Sequence, residues 1–353
     1  MSETFIPHSR PALGEAEAKA VAEVVRSGWI AQGRQVAAFE QAMAKVTGQG
    51  HGVAVSSGTA ALYLALMALG IGAGDEVVIP SYVCTALWHA VGLTGAKPVL
   101  VDIEPATYQP CPRAVARALT RRTKAVIVPH MFGLPADIEI LKSHGIPLIE
   151  DCAQSLGVTV RGTSVGGTGK LAICSFYATK LLTAGEGGMV LGREESLVGR
   201  VRTLSQYDEQ DALERAFNYK MTDMQAALGL CQVARLESFL ARRQAIAARY
   251  HEAVRQVGLT PPWVPAGLEH GYFRYVVRLP KPVDPALERA SALGIGCRRP
   301  VFRPIHRYVD LSGFPETDAA WERALSIPLY PALTDHEVDR IAGALPAILA
   351  GKS

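Results

Sequence analysis

Ile146-Pro147-Leu148-Ile149-Glu150-Asp151 is an apolar run too short for an ordinary helix, and it ends on two acids. The pattern recurs along the first two thirds of the chain. Residues 51–55, 76–79, 97–101, 124–128 and 146–150 are short, rich in Val, Ile and Leu, and edged by Gly or Pro. Helix-length patterns lie between them, at about 58–69, 84–94, 112–120 and 137–143. Strands apolar on both faces and separated by helices indicate an α/β fold with a mostly parallel, helix-covered sheet. Runs at 171–176 and 188–191 flank a Gly-rich turn and add two strands to it.

Beyond this sheet a helical pattern extends from about Thr222 to Val257, carrying Leu228, Cys231, Leu236, Phe239 and Leu240. The remainder reads as a smaller α/β domain. It holds a strand over Tyr272–Leu279, a helix over Asp284–Leu293 and a closing helix over Asp335–Leu345 that Pro346 would end. The expected division is a large domain over residues 1–240 and a small one over 241–353.

Composition narrows the function classes. With 49% apolar and 20% charged residues, the chain reads as a globular protein with ample core. A net charge of +3 comes from scattered Lys and Arg, without the basic stripe of a nucleic-acid binder. Cys84, Cys111, Cys152, Cys174, Cys231 and Cys297 form no C-x-x-C pair, so buried free thiols in a reducing cytoplasm are expected. Val46 to Gly74 carries no Asp, Glu, Lys or Arg, but Ser56-Ser57-Gly58-Thr59 breaks it into a strand and a helix. No membrane span is expected there.

Three loop-edge motifs stand out. Ser56-Ser57-Gly58-Thr59 lies between a strand and a helix. Free N–H groups and the positive end of the helix dipole favour a phosphate there, although a Ser/Thr helix cap gives the same sequence. Asp151 ends a strand, where open α/β sheets place their ligands; it would pair with a protonated ring nitrogen, or merely cap a helix. Lys180 follows the 171–176 run and precedes Gly185-Glu186-Gly187-Gly188. It is suited to a Schiff base, whereas any lysine alone is by default a surface charge. Gln154 and Ser175 lie within reach of the same edge. Phosphate turn, acid and lysine, in that order, are what an enzyme of pyridoxal 5′-phosphate (PLP) requires.

The chain resembles the DegT/DnrJ/EryC1/StrS family of PLP-dependent sugar aminotransferases, of PLP fold type I. The likeness rests on Ser27-Gly28-Trp29, Val55-Ser56-Ser57-Gly58-Thr59-Ala60-Ala61-Leu62, Gly74-Asp75-Glu76-Val77-Val78-Ile79-Pro80 and Glu150-Asp151-Cys152-Ala153-Gln154. Thr179-Lys180, Gly185-Glu186-Gly187-Gly188 and Asn218-Tyr219-Lys220-Met221-Thr222-Asp223-Met224-Gln225 extend it. The resemblance implies that Lys180 is the Schiff-base lysine, Asp151 the ring-nitrogen partner and Gln154 the residue at the phenolic oxygen. Gly58, Thr59 and Ser175 become phosphate ligands. Asn218 becomes a ligand to the phosphate of the neighbouring subunit's cofactor, hence a homodimer with shared sites; read alone, Asn218 is equally a capping residue.

Two departures accompany the likeness. Relatives carry an aromatic residue after the proline matching Pro80, stacked on the cofactor ring. Equal-length alignment puts Cys84 there and a shifted one Tyr82, which is the better chemical candidate. Tyr177 stands where relatives often have His. The implied activity is transfer of an amino group from glutamate or glutamine to a keto-sugar, expected to be nucleotide-linked, or to a keto-cyclitol. A sugar dehydratase of the same family would carry His in place of Lys180. A non-catalytic regulatory relative would not keep Asp151, Gln154, Lys180 and Asn218 together. Arg298, Arg299, Arg303 and His306 read either as contacts to a substrate's phosphates or as a solvated basic loop.

Overall fold

The computed structural model describes residues 4–208 and 213–350. Helices α1 (Glu15–Ser27) and α2 (Arg34–Thr47) precede β1 (His51–Val55). Then come α3 (Gly58–Ala68), β2 (Glu76–Pro80), α4 (Ala86–Leu93), β3 (Lys97–Val101), α5 (Pro112–Ala118), β4 (Thr123–Pro129), α6 (Glu139–Lys142) and β5 (Leu148–Asp151). A small hairpin, β6 (Thr159–Val160) with β7 (Thr163–Ser164), leads to β8 (Leu171–Ser175) and β9 (Gly188–Gly192). Helices α7 (Glu195–Ser205), α8 (Asp223–Ala234) and α9 (Leu236–Gln256) follow. The last region holds β10 (Tyr275–Arg278), α10 (Asp284–Ala292), α11 (Pro315–Arg323), β11 (Ala324–Ile327) and α12 (Asp335–Ala350).

Seven strands make one sheet in the order β1-β9-β8-β5-β4-β2-β3. Every pairing from β8 through β3 is parallel, and β9 alone runs against its neighbours. The charge-free stretch is explained by its place. Every residue of α3 from Ala60 to Leu66 is buried, because the helix packs over β8 and β9 and against α4 and α7. Truncating Leu64 to Ala there would cost about 2–5 kcal/mol. Among the described residues, no helix is long and apolar enough to cross a membrane.

A second core gathers Ile246, Tyr250, Tyr275, Leu325, Ile341 and Leu345 around the β10–β11 pair. Ile6 joins it from the N-terminal segment, which bridges to Ile295 and thereby carries His8 across to this region. Such crossing segments position side chains that the local sequence gives no reason to connect.

Several expectations need correction. The 222–257 pattern is two helices, because Arg235 leaves helical geometry (φ −104°, ψ 1°). Its guanidinium is drawn to Glu17 at 2.9 Å and lies 4.7 Å over the Phe239 ring, which ties this corner to α1. Pro346 does not end the last helix, which continues to Ala350. An interior proline costs about 3 kcal/mol; burial of Leu345, Ile348 and Leu349 around it offsets that. The six cysteines are all free, but only Cys152 and Cys174 are buried, and Cys84 is exposed. Asp223 shows how a motif residue can be structural: it accepts from the N–H groups of Gly33 and Val36 (2.8 and 3.0 Å), capping α2, whose own cap position is glycine.

Candidate active site

Sheet register brings the motifs together. Val55 of β1 lies opposite Gly188 of β9, and Gly188 lies opposite Ser175 of β8. On the next strand Asp151 is opposite Ile173. The Ser56–Thr59 turn, Asp151, Ser175 and the turn bearing Lys180 therefore share the edge formed by the C-terminal ends of parallel strands, where open α/β sheets bind ligands.

The cradle at this edge is narrow. A Cβ on Gly58 would stand 2.7 Å from Ser175 Cβ and 3.0 Å from its Oγ. One on Gly188 would fall 2.2 Å from the Ser57 carbonyl oxygen. Glycine is required at both because two loops touch. Ser57 proves to be the helix cap, its hydroxyl accepting from the Ala60 N–H at 3.1 Å. Gly58 and Thr59 begin α3, so their N–H groups have no acceptor within the helix and lie at the positive end of its dipole. The capping reading of Ser56–Thr59 holds at Ser57, and the N–H groups of its two successors stay free of partners within the helix.

Asp151 is buried at the end of β5, with one oxygen accepting from the Ala153 N–H at 3.1 Å. Burial raises its pKa, and the positive charge of Lys180 in the same cleft acts against that rise. Beneath it, Glu150 points the other way, as the two-residue period of a strand dictates. His130 Nδ1 accepts from the Ala136 N–H, so Nε2 carries the proton and donates to Glu150 at 3.0 Å. Burial would raise Glu150's carboxyl, but His130 and the N–H groups of Gly166 and Gly169 hold it below the usual range. This buried pair, with His130 N–H donating to the Asp151 carbonyl, fixes the strand end on which Asp151 sits.

Lys180 is half-buried, its Nζ 5.5 Å from the centre of the Phe273 ring. Gln154 is tied to the β4 turn, its carbonyl accepting from the Phe132 N–H at 2.9 Å. Tyr82, expected against a cofactor ring, is displaced from that place. Its ring is fully buried, stacked on Tyr108 (5.8 Å) and edge-on to Phe132, with its hydroxyl donating to the Ala320 carbonyl. Cys84 opens onto the cleft instead: its residue is exposed at the cleft wall, yet the protein packed around the thiol desolvates it and raises its pKa, while Lys180 lowers it and Asp151 raises it. Asn218 is exposed, two residues before the bridge between Lys220 and Val55, so its segment lies beside the end of β1.

The 298–306 motif divides. His306 is buried, with Nδ1 2.7 Å from Ser81 Oγ and Nε2 3.2 Å from Asp318; it braces the loop after β2 and does not face a ligand. Arg298, Arg299 and Arg303 line a cavity of about 960 Å³ together with Tyr177, Thr179 and Arg274. Arg274 and His8 were not singled out by any sequence motif. Arg274 immediately precedes β10, whose Tyr275, Val276 and Val277 are all buried, so the strand's pattern carries no signal for it.

The residues present fit PLP: a glycine-walled cradle at a helix N-terminus, a buried acid short of partners and a lysine beside it. Comparison with known proteins agrees. Residues 11–346 match the profile of the DegT/DnrJ/EryC1/StrS aminotransferase family. The aminotransferase TlmJ from Streptoalloteichus hindustanus is similar over 98% of this chain and 99% of its own, at 35% identity and a TM-score of 0.92. Spr1654 of Streptococcus pneumoniae, described as a sugar aminotransferase and solved in its PLP form, is 28% identical over 98% of each chain, with a TM-score of 0.91. DesI, solved in the presence of its TDP-sugar product, is 27% identical over 99% of this chain and 94% of that one, with a TM-score of 0.92.

Proposed function

We propose, for a chain that belongs to the DegT/DnrJ/EryC1/StrS aminotransferase family and is a PLP-dependent aminotransferase of fold type I, that it moves an amino group from glutamate or glutamine to a keto-sugar. The sugar is nucleotide-linked, or its place is taken by a keto-cyclitol. The observation that carries the reading is Asp151, a buried carboxylate in the same cleft as Lys180 and beside the Gly58–Ser175 cradle. The relative solved with a TDP-sugar supports the nucleotide-linked substrate.

PLP, when bound, supplies a carbonyl that carries nitrogen between substrates and a ring that accepts electrons. The chain supplies the rest. N–H groups of Gly58 and Thr59 and the Ser175 hydroxyl hold the phosphate, with Asn218 of one subunit completing that site in its dimer partner. Asp151, kept ionised by a cationic partner, holds a proton on the ring nitrogen. At about 4 Å and an effective dielectric near 20 that attraction is roughly 4 kcal/mol before desolvation. With PLP bound, Gln154 would hold its phenolic oxygen, and Cys84, in place of an aromatic residue, would meet its ring. The Lys180 amine would serve as general base toward the donor's Cα proton and as the acid that hands it on. The enzyme works in the cytoplasm, and its chain divides at residue 240.

The test is a panel of keto-sugars, free and nucleotide-linked, and keto-cyclitols, supplied to the holoenzyme with glutamate or glutamine. Amination of one member, followed by mass spectrometry, is expected. Transfer only to simple α-keto acids would overturn the sugar assignment.

A further inference from the structure

A second cavity, of about 510 Å³, lies where the segment before β10 meets the loops that follow β3 and β4. Its size is within the roughly 300–1,000 Å³ of small-molecule sites. Tyr108, Phe132, Leu134, Pro261, Trp263 and Val276 give it ring and aliphatic walls. Arg274 and Arg278 also line it, and among the described residues no Asp or Glu does. None of Lys180, Asp151, Gln154, Ser175 and Cys84 borders it. Among the described residues, Arg274 alone is shared with the arginine-lined cavity near Tyr177.

His270 sets the polar requirement of this cavity. Only 7% of its surface is exposed, and its ring stacks on Tyr272 at 4.0 Å. Nδ1 accepts from the Tyr272 N–H at 2.9 Å, so the neutral ring carries its proton on Nε2. Burial, helped by the charge of His251, brings the imidazole down to about 3, which keeps it neutral. The Nε2–H has no acceptor among the described residues, whereas the large majority of buried donors in folded proteins have one. A water would satisfy that N–H but not the arginines. Arg278 has only a 3.5 Å pair with Glu316, and Arg274 is in no ion pair among the described residues. An acceptor that carries negative charge answers both needs.

One residue connects this cavity to the cofactor site. Phe132, on its wall, has a φ of 60°, a conformation that strains a non-glycine residue and persists only where the surroundings impose it. Its N–H donates to Gln154 Oε1 at 2.9 Å, and its carbonyl accepts from the Arg274 N–H at 3.1 Å. A ligand packed on the Phe132 ring therefore bears on the turn that aims the Gln154 amide.

We propose that this cavity is an effector site for a flat aromatic carboxylate, distinct from the site of amino transfer. The ring packs on the Phe132 and Trp263 walls, the carboxylate accepts from His270 Nε2 and pairs with Arg278, and Phe132 passes the occupation on to Gln154. An aliphatic acid would leave the ring-lined walls wet, and a neutral aromatic would leave the arginines without a counter-charge. The link to Gln154 rests on the cofactor reading above; the binding itself does not.

The probe is 2-naphthoate, titrated into the holoenzyme by calorimetry, with 2-naphthamide as its neutral counterpart. One naphthoate should bind per chain, and naphthamide should bind about tenfold more weakly or worse. Thr260→Trp, which fills the cavity from an exposed position on its rim, should abolish binding. Arg278→Gln should weaken naphthoate roughly 10- to 100-fold and change naphthamide by less than about threefold. His270→Phe, which keeps a ring over Tyr272 and removes the N–H, should weaken both. The cofactor's visible absorbance should shift at the same half-saturating naphthoate concentration, and glutamate should still change the colour of Thr260→Trp holoenzyme. Absence of naphthoate binding would overturn the proposal. So would binding that survives Thr260→Trp and is lost in Arg298→Gln, which would place the probe in the transfer site, and so would binding with no shift in absorbance. If neither glutamate nor glutamine changed the wild-type spectrum, the aminotransferase reading would fail while the calorimetric result stood.

Discussion

Replacing Gly58 by alanine tests the cradle with a perturbation of known size. The added methyl would lie 2.7 Å from Ser175 Cβ and 3.0 Å from Oγ, against an ordinary carbon contact of about 3.5–4.0 Å. Relief requires the turn and the end of β8 to part, and overpacking of this kind costs about 1–3 kcal/mol. Alanine also favours a helix over glycine by up to about 1 kcal/mol, so the single variant's stability alone is a poor readout. A double-mutant cycle removes that common contribution. Ser175→Gly takes away both nearest atoms, and the next nearest, Ser175 Cα, stands at 3.4 Å. Thermal unfolding of the four apoproteins should give a coupling of about 1–3 kcal/mol, the double variant being more stable than the two single losses add up to. PLP affinity should behave differently. Charge-assisted hydrogen bonds of about 1.5–3 kcal/mol each are at stake, so Gly58→Ala should weaken PLP roughly 10- to 100-fold, and the double variant should not recover, having lost the hydroxyl. Additive stabilities together with unchanged PLP affinity would refute the cradle.

Asp151→Asn should cut turnover by up to three orders of magnitude, if the roughly 4 kcal/mol attraction is lost in full. It should also change the apoprotein's pH profile. Because burial raises the native pKa of Asp151, the native state holds its proton longer than the unfolded chain does. Wild-type apoprotein therefore loses stability as pH rises from about 4 through the native value, and the asparagine variant should lack that decline in urea unfolding. In the apoprotein, Cys84 should be the thiol at the cofactor site that iodoacetamide modifies, slowly because its pKa is raised, and PLP should protect it; unprotected labelling would place Cys84 outside the site. Mixing Lys180→Ala with Asn218→Ala chains should restore activity in hybrid dimers, since one site of each regains both native residues. Hybrids that form without recovery would return Asn218 to its own chain's site or remove it.

Much of this was legible because it depends on local patterns. Alternating apolar runs and helix-length spacers determine a parallel sheet, and the end of such a strand is where Asp151 had to be useful. Gly58 could be read as a close approach, though not that Ser175 is what approaches it. Other features depend on contacts distant in sequence. Counting along the Pro80–Thr85 loop cannot say which side chain turns inward; the Tyr108–Phe132 pair decides it by taking Tyr82 into the core. Helix α1 escaped notice because its only apolar buried residue is Val24. Arg274 looked like one charge in a strand, and the imidazole beside it, His8, is 266 residues away. His306 reads in sequence equally as a phosphate contact or as part of a solvated loop; Ser81, 225 residues away, and Asp318 use both its nitrogens.

Reduction of the holoenzyme with sodium borohydride, followed by peptide mass mapping, tests the central claim most directly. Hydride fixes the cofactor to whichever lysine carries it. The account predicts one phosphopyridoxyl group per chain, on the peptide containing Lys180, and its disappearance when glutamate is added first to convert the cofactor to its amine form. A label on Lys170 or Lys220, or no label on a protein that has bound PLP, would contradict it.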